Sequence, residues 1–178
     1  MAGHDAAGHG LATLVLGGAR SGKSRYAEWL IRTYPPPWIY VATAEARDEE
    51  MAERIAAHRA RRDSEWRTVE APYALVEALT AAPSGSAVLV DCLTLWLSNL
   101  MESGSDIEAQ TAALKETLAE RAGPTVLVSN EVGMGIVPDN PLGRRFRDLQ
   151  GRLNQDLAAQ AARVVMMVAG VAVPVKSP

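Results

Sequence analysis

An apolar run at residues 11–16 leads directly into Gly17-Gly18-Ala19-Arg20-Ser21-Gly22-Lys23-Ser24, and a segment with helical patterning follows at residues 24–34. That spacing fits the phosphate-binding loop G-x-x-x-x-G-K-[ST], in the strand, loop and helix order that the motif requires. Polyphosphate binding turns backbone amides inward around an anion, so Gly17, Gly18 and Gly22 stand where the backbone must approach closely. Lys23 supplies a mobile charge to the β- and γ-phosphates, the Ser24 hydroxyl is placed to coordinate Mg²⁺, and the helix adds its N-terminal dipole. A Gly-rich turn with no ligand is the bland alternative.

Short apolar runs at residues 11–16, 38–42, 87–91, 125–129 and 163–168 predict strands buried on both faces. Helical segments at 24–34, 48–62, 72–81, 106–121 and 142–162 alternate with them. This order predicts an α/β fold, a mainly parallel sheet flanked by helices of the P-loop NTPase, RecA-like kind. Residues 66–70 read either as a short strand or as an extended connection, and 171–175, broken by Pro174, as an edge strand. At 178 residues the chain suits one core: residues 1–12 are expected to form a flexible N-terminal extension and 13–178 a single domain.

A formal net charge of −3, without an aromatic-interleaved basic stripe, argues against nucleic acid as a partner. Cys92 is the sole cysteine, which excludes an internal disulfide and a cysteine-cluster metal site. With no apolar run long enough to span a bilayer and no basic-then-apolar leader, a cytoplasmic location is expected. His4 and His9 lie in the Gly/Ala-rich start and carry no predicted role beyond weak adventitious metal binding.

Val88-Leu89-Val90-Asp91 is an apolar strand ending in a carboxylate, the pattern of the second Mg²⁺-organising element of P-loop proteins; the alternative is an Asp capping the next helix. A parallel strand at 125–129 delivers Asn130 and Glu131 to the same carboxyl edge, where open α/β sheets bind ligands. The segment from Asn130 through Gly133 and Gly135 to Pro138 reads as a shaped, substrate-facing loop or as an ordinary connection. His58 shares a helical stripe with Arg54, Arg61 and Arg62. A neutral imidazole there can attack phosphorus with guanidinium support, whereas the plainer view is a solvated His favoured by the helix dipole. Trp29, Trp38, Trp66 and Trp96 read as core or interface packing, and Met166 and Met167 as strand core. Arg144, Arg145 and Arg147 stand oddly at a helix start, favouring an anion or a subunit contact.

Several segments together resemble one family, the bifunctional adenosylcobinamide kinase / adenosylcobinamide-phosphate guanylyltransferases of cobalamin synthesis. They are the loop Gly17 to Arg25, Tyr40-Val41-Ala42-Thr43-Ala44, Arg54-Ile55 with His58, Trp66-Arg67-Thr68-Val69-Glu70, Val90-Asp91-Cys92-Leu93-Thr94, and Asn130-Glu131-Val132-Gly133-Met134-Gly135-Ile136-Val137-Pro138 with Gly151-Arg152-Leu153-Asn154-Gln155. The resemblance implies phosphorylation of adenosylcobinamide by ATP or GTP, then transfer of GMP from GTP through a guanylyl-histidine to adenosylcobinamide phosphate. It places the histidine at His58, beside Lys23 as the second catalytic residue. Nucleotide contacts are implied at Gly17, Gly18, Ala19, Arg20, Ser21, Gly22, Lys23, Ser24, Thr43, Ala44, Glu45, Arg59, Ala60, Arg61, Arg62, Glu70 and Asp91, with Mg²⁺ at Ser24 and Asp91. A homotrimer is implied as well. Asp91 departs from relatives that carry Glu there. Two other readings compete: a simple P-loop kinase of a small metabolite with an inert His58, and a nucleotide-binding regulatory module.

Overall fold

The computed structural model describes residues 12–60 and 62–177, and nothing of the Arg54 side chain. Most of the expected N-terminal extension, with Leu11 and Arg61, thus lies outside the described residues; Ala12 already belongs to the first strand. The elements run β1 (Ala12–Gly17), α1 (Lys23–Ile31), β2 (Trp38–Ala42), α2 (Glu49–Ala60), β3 (Trp66–Glu70), α3 (Leu75–Ala81), β4 (Val88–Asp91) and α4 (Leu93–Ser103). They continue with α5 (Ile107–Glu120), β5 (Thr125–Val128), α6 (Pro141–Gln160), β6 (Arg163–Val168) and β7 (Val171–Lys176).

These strands make one sheet in the order β3-β2-β4-β5-β1-β6-β7, parallel except for the β6–β7 pair. Continuous apolar sequence marks the strands covered on both faces: every residue of β5 is buried, as are the first four of β2 and the first three of β4. The two edges look different. β3 has only β2 beside it and exposes three of its five side chains, so its sequence lacks a strong strand pattern. β7 is exposed along its length and carries Pro174 opposite Val165, where the pairing is irregular; an edge tolerates the missing N–H.

Helices cover both faces. One core gathers Leu75, Leu79, Leu93, Trp96, Leu97, Leu114 and Leu157 against Leu14, Val90 and Leu127 of the sheet. The other packs Ala27, Leu30 and Ile31 of α1 with Trp38, Tyr40 and Trp66 against Val15, Leu89 and Val128. Each fully buried Leu or Ile stabilises this arrangement by about 1.5–3 kcal/mol relative to an exposed one. Three tryptophans thus serve the core as expected; Trp29 is 59% exposed and lies beside Tyr26 on the surface of α1.

Helix starts follow local chemistry. Asp48 accepts the Met51 N–H at 2.7 Å, Asp106 that of Ala109 at 3.0 Å, and Asn140 that of Gly143 at 2.7 Å, each satisfying an orphan first-turn donor. Pro141 opens α6, where its missing N–H has no cost. Among the described residues, no helix is long and apolar enough to cross a membrane.

Candidate nucleotide-binding and catalytic site

Parallel register brings the functional segments to one edge. Ala42 pairs with both Glu70 and Asp91, Asp91 with Val128, and Val15 with Val128 and Val165, so the ends of β1 to β5 stand level at the carboxyl side of the sheet. The loop after β1 turns there into α1. β5 separates β1 from β4, so the phosphate loop and Asp91 face each other across one intervening strand.

The loop's shape depends on its glycines. Gly17 has φ +149°, and a Cβ there would lie 2.5 Å from the Met167 carbonyl oxygen and 2.7 Å from the Ser21 hydroxyl. Gly22 caps α1 in the left-handed conformation, φ +97°. Gly17→Ala is therefore expected to lower stability by about 1–3 kcal/mol through overpacking and to weaken nucleotide binding. An unchanged urea midpoint together with unchanged nucleotide affinity would contradict that.

Lys23 is almost wholly buried, and its Nζ donates to the Gly18 carbonyl at 2.6 Å within the same loop. Burial pushes the ammonium below its ordinary pKa, opposed by Cys92 and then Asp91 nearby. The Ser21 hydroxyl is buried without a hydrogen-bond partner, an orphan polar atom inside an anion-binding loop. Arg20 adopts φ +55° and is exposed, as are Gly18 and Ala19; Ser24 is half-buried in the first turn of α1.

Asp91 does not cap α4, since Cys92 holds that position. Its Oδ2 instead accepts the Tyr40 hydroxyl at 3.1 Å and lies 3.9 Å from Nδ1 of His58. Tyr40 is itself deeply buried; desolvation, with the Asp91 charge second, raises its phenol far above the ordinary value, so it remains a proton donor. Arg62 lays its guanidinium 3.6 Å over the Tyr40 ring, while one of its terminal nitrogens, Nη1, is buried with no hydrogen-bond partner. His58 thus stands near Asp91 at the carboxyl edge of the sheet, in the last turn of α2, with a third of its side chain exposed. Burial pushes the Cys92 thiol up to about 11, which keeps it inert.

The other expected contacts sort by what they already touch. Thr43 is fully buried, and its hydroxyl both donates to the Cys92 carbonyl at 2.7 Å and accepts from the Cys92 N–H at 2.8 Å. Its side chain holds the turn after Asp91 and has no donor left over. Glu45 accepts from Arg47 and Tyr73, and these hydrogen bonds, Arg47 first, hold its carboxyl below the usual range. Arg59 pairs with Glu70 on the surface, joining two of the expected nucleotide contacts to each other. Ala44 is half-buried on the β2–α2 connection and Ala60 ends α2 exposed. Arg47 and Tyr73, which the sequence did not single out, both donate to Glu45, and Arg47 also donates to Asn99 of α4.

A buried polar cluster fixes the base of the loop after β5. Ser129 donates to Asn154 Oδ1 at 2.7 Å, Gln150 donates to Ser129 and Asn154, and Asn154 donates to the Asn130 carbonyl. The Asn130 N–H donates to Thr94, and that of Glu131 to the Gly17 carbonyl, 3.1 Å away in the phosphate loop. From this rigid base the loop carries Met134, Ile136 and Val137 into solvent. Arg144, odd at a helix start, donates to the carbonyls of Pro138 and Asp139 and ties the loop's far end to α6; Arg147 pairs with Asp148. Two surface cavities lie away from this edge, one around Leu79 and Gly123, the other between α5 and α6.

Among the described residues, no three His, Cys, Asp or Glu side chains converge into a metal cage. Ser24 and the second oxygen of Asp91 are hard oxygen donors, a set that fits Mg²⁺, which is held by one or two protein oxygens plus substrate phosphates and water.

Comparison with known proteins identifies the family of the chain. Residues 13–175 match the family described as cobinamide kinase / cobinamide phosphate guanyltransferase. The chain is 49% identical over 166 residues to the bifunctional adenosylcobalamin biosynthesis protein CobP of Pseudomonas aeruginosa, covering 92% of this chain and 96% of that one. It is 44% identical over 184 residues to the protein of that description called CobU in Salmonella typhimurium, covering 92% and 98%. Among solved structures, the assembled ATPase EscN of the enteropathogenic E. coli type III secretion system superposes with a TM-score of 0.53 at 13% identity, over 92% of this chain and 44% of that one. This last likeness bears on the fold, that of a P-loop NTPase. With the family pattern matched over nearly the whole length, the chain belongs to the cobinamide kinase / cobinamide phosphate guanyltransferase family.

Proposed function

We propose that this protein phosphorylates the aminopropanol hydroxyl of adenosylcobinamide with ATP or GTP, and then transfers GMP from GTP through a guanylyl-histidine at His58 to give adenosylcobinamide-GDP. The observation that carries the second half is the position of His58, 3.9 Å from Asp91 at the edge that also holds the phosphate loop, not out on a solvated face. In this reading residues Gly17 to Ser24 wrap the phosphates, Lys23 neutralises charge developing on the γ-phosphoryl group, and Arg62 offers its unpartnered nitrogen to an anion. Arg59, Glu70, Ala44, Glu45 and Ala60 line the approach. Ser24 and Asp91 would hold Mg²⁺, which neutralises phosphate charge when bound.

His58 acts at a different phosphorus from Lys23. A neutral imidazole nitrogen displaces pyrophosphate at the α-phosphorus, and the corrinoid phosphate then displaces the histidine. The loop around Met134 and Ile136, anchored to Gly17 through Glu131, presents apolar surface beside the phosphates, as suits a large amphipathic corrinoid. Assembly as a homotrimer belongs to the same proposal.

Incubation with adenosylcobinamide, Mg²⁺ and GTP should yield adenosylcobinamide phosphate first and adenosylcobinamide-GDP later, resolved by chromatography. Phosphate alone would leave the simple kinase; neither product, with slow nucleotide hydrolysis, would leave the regulatory module.

A further inference from the structure

One oxygen of Asp91 serves two neighbours. Tyr40 on β2 and Asp91 on β4 are diagonal neighbours on one sheet face, because Tyr40 pairs with Leu89, two residues before Asp91. The phenol donates to Oδ2 at 3.1 Å, and the same oxygen faces Nδ1 of His58 at 3.9 Å. Tyr40 has little freedom to move: it is 4% exposed, meets Trp66 edge-on with centroids 6.2 Å apart, and is covered by Arg62. A core tyrosine needs only some acceptor for its hydroxyl. This one uses the carboxylate that borders the histidine.

We propose that Tyr40 is a positioning residue for guanylyl transfer, holding Asp91 Oδ2 toward His58 Nδ1 so that Nε2 is the nitrogen presented to the α-phosphorus. The inference rests on the guanylyl-histidine reading of His58. In the first step the Nε2 lone pair forms the N–P bond, and the bond from the α-phosphorus to the bridging oxygen breaks, its electron pair leaving on pyrophosphate. Nδ1 keeps its proton, and the positive charge gained by the ring faces Asp91. When an oxygen of the corrinoid phosphate attacks the same phosphorus, the N–P bond breaks and its pair returns to Nε2, leaving the ring neutral. Asp91 then has Oδ1 for the cation side of the site, so its two oxygens divide the two tasks.

The test begins with the native enzyme and GTP labelled at the α-phosphate. Absence of label on the protein would remove the guanylyl-histidine reading itself, whatever Tyr40 does. With label present, phosphorus NMR of the trapped enzyme identifies the linkage: Nε2 is expected, and an Nδ1 linkage would overturn the positioning role without touching the reading beneath it. Tyr40→Phe keeps the ring and removes the one hydroxyl. It is expected to slow guanylylation by about 10- to 100-fold, the range found when a group that orients a metal-ligating histidine is lost, with KM for GTP within about threefold and some Nδ1 linkage appearing. Trp66→Phe disturbs the packing under the same ring and is expected to label at nearly the native rate. Native behaviour of Tyr40→Phe, or an equal loss in Trp66→Phe, would refute the proposal.

Discussion

Lys23→Met is expected to slow γ-phosphoryl transfer by about 10²- to 10³-fold, the typical cost of removing a preorganised charge or donor from a developing anion. Methionine reproduces the unbranched apolar stem, which is the part of Lys23 that the fold uses, since the residue is only 7% exposed. What is lost is the ammonium. It now donates to the Gly18 carbonyl at 2.6 Å and is destabilised by burial, so its solvation in the free loop is poor and an incoming phosphate is the better partner. Losing a buried ammonium should leave the fold intact, with the urea midpoint unchanged or raised. Steady-state transfer from γ-labelled nucleotide measures the effect; a rate within threefold of native would mean that Lys23 does not reach the transferred group.

His58→Ala is expected to abolish adenosylcobinamide-GDP formation while adenosylcobinamide phosphate still accumulates. The two chemistries act at phosphorus atoms two positions apart, and the phosphate loop supplies charge but no nucleophile. His58 is partly exposed in the last turn of α2, so truncating it removes little packing and leaves no cavity. A variant that made both products at native rates would show that GMP transfer is direct. One that made neither would place His58 in nucleotide binding.

How much of this was legible in the sequence follows from burial. β2, β4 and β5 lie inside the sheet and read as continuous apolar runs, so their positions and a mainly parallel sheet were plain, whereas the order of the strands appears only in the fold. β3 was ambiguous because an edge strand with exposed side chains has no such run, and only its pairing with β2 defines it. The phosphate loop was legible because its geometry demands glycine at fixed spacing. Asp91 was visible as a strand-ending carboxylate, but its bond to Tyr40 was not, because that contact joins residues 51 apart in the chain. Thr43 shows the same limit: its place in a segment shared with the family is readable, whereas the capture of its hydroxyl by Cys92 appears only in three dimensions. Likewise Asn154 stood in a distinctive segment, with Gln150 one turn before it on α6, yet Ser129, just past β5, meets both only in the folded chain.

In the proposed cycle one nucleotide site serves two reactions, with His58 as the covalent carrier in the second. The most direct measurement incubates native protein and His58→Ala with Mg²⁺ and GTP labelled either at the α- or at the γ-phosphate, then assays protein-bound label after denaturation. The expected result is acid-labile, alkali-stable label from α-GTP alone, present on the native protein and absent from the variant. No α-label on the native protein, or equal label on His58→Ala, would contradict the claim.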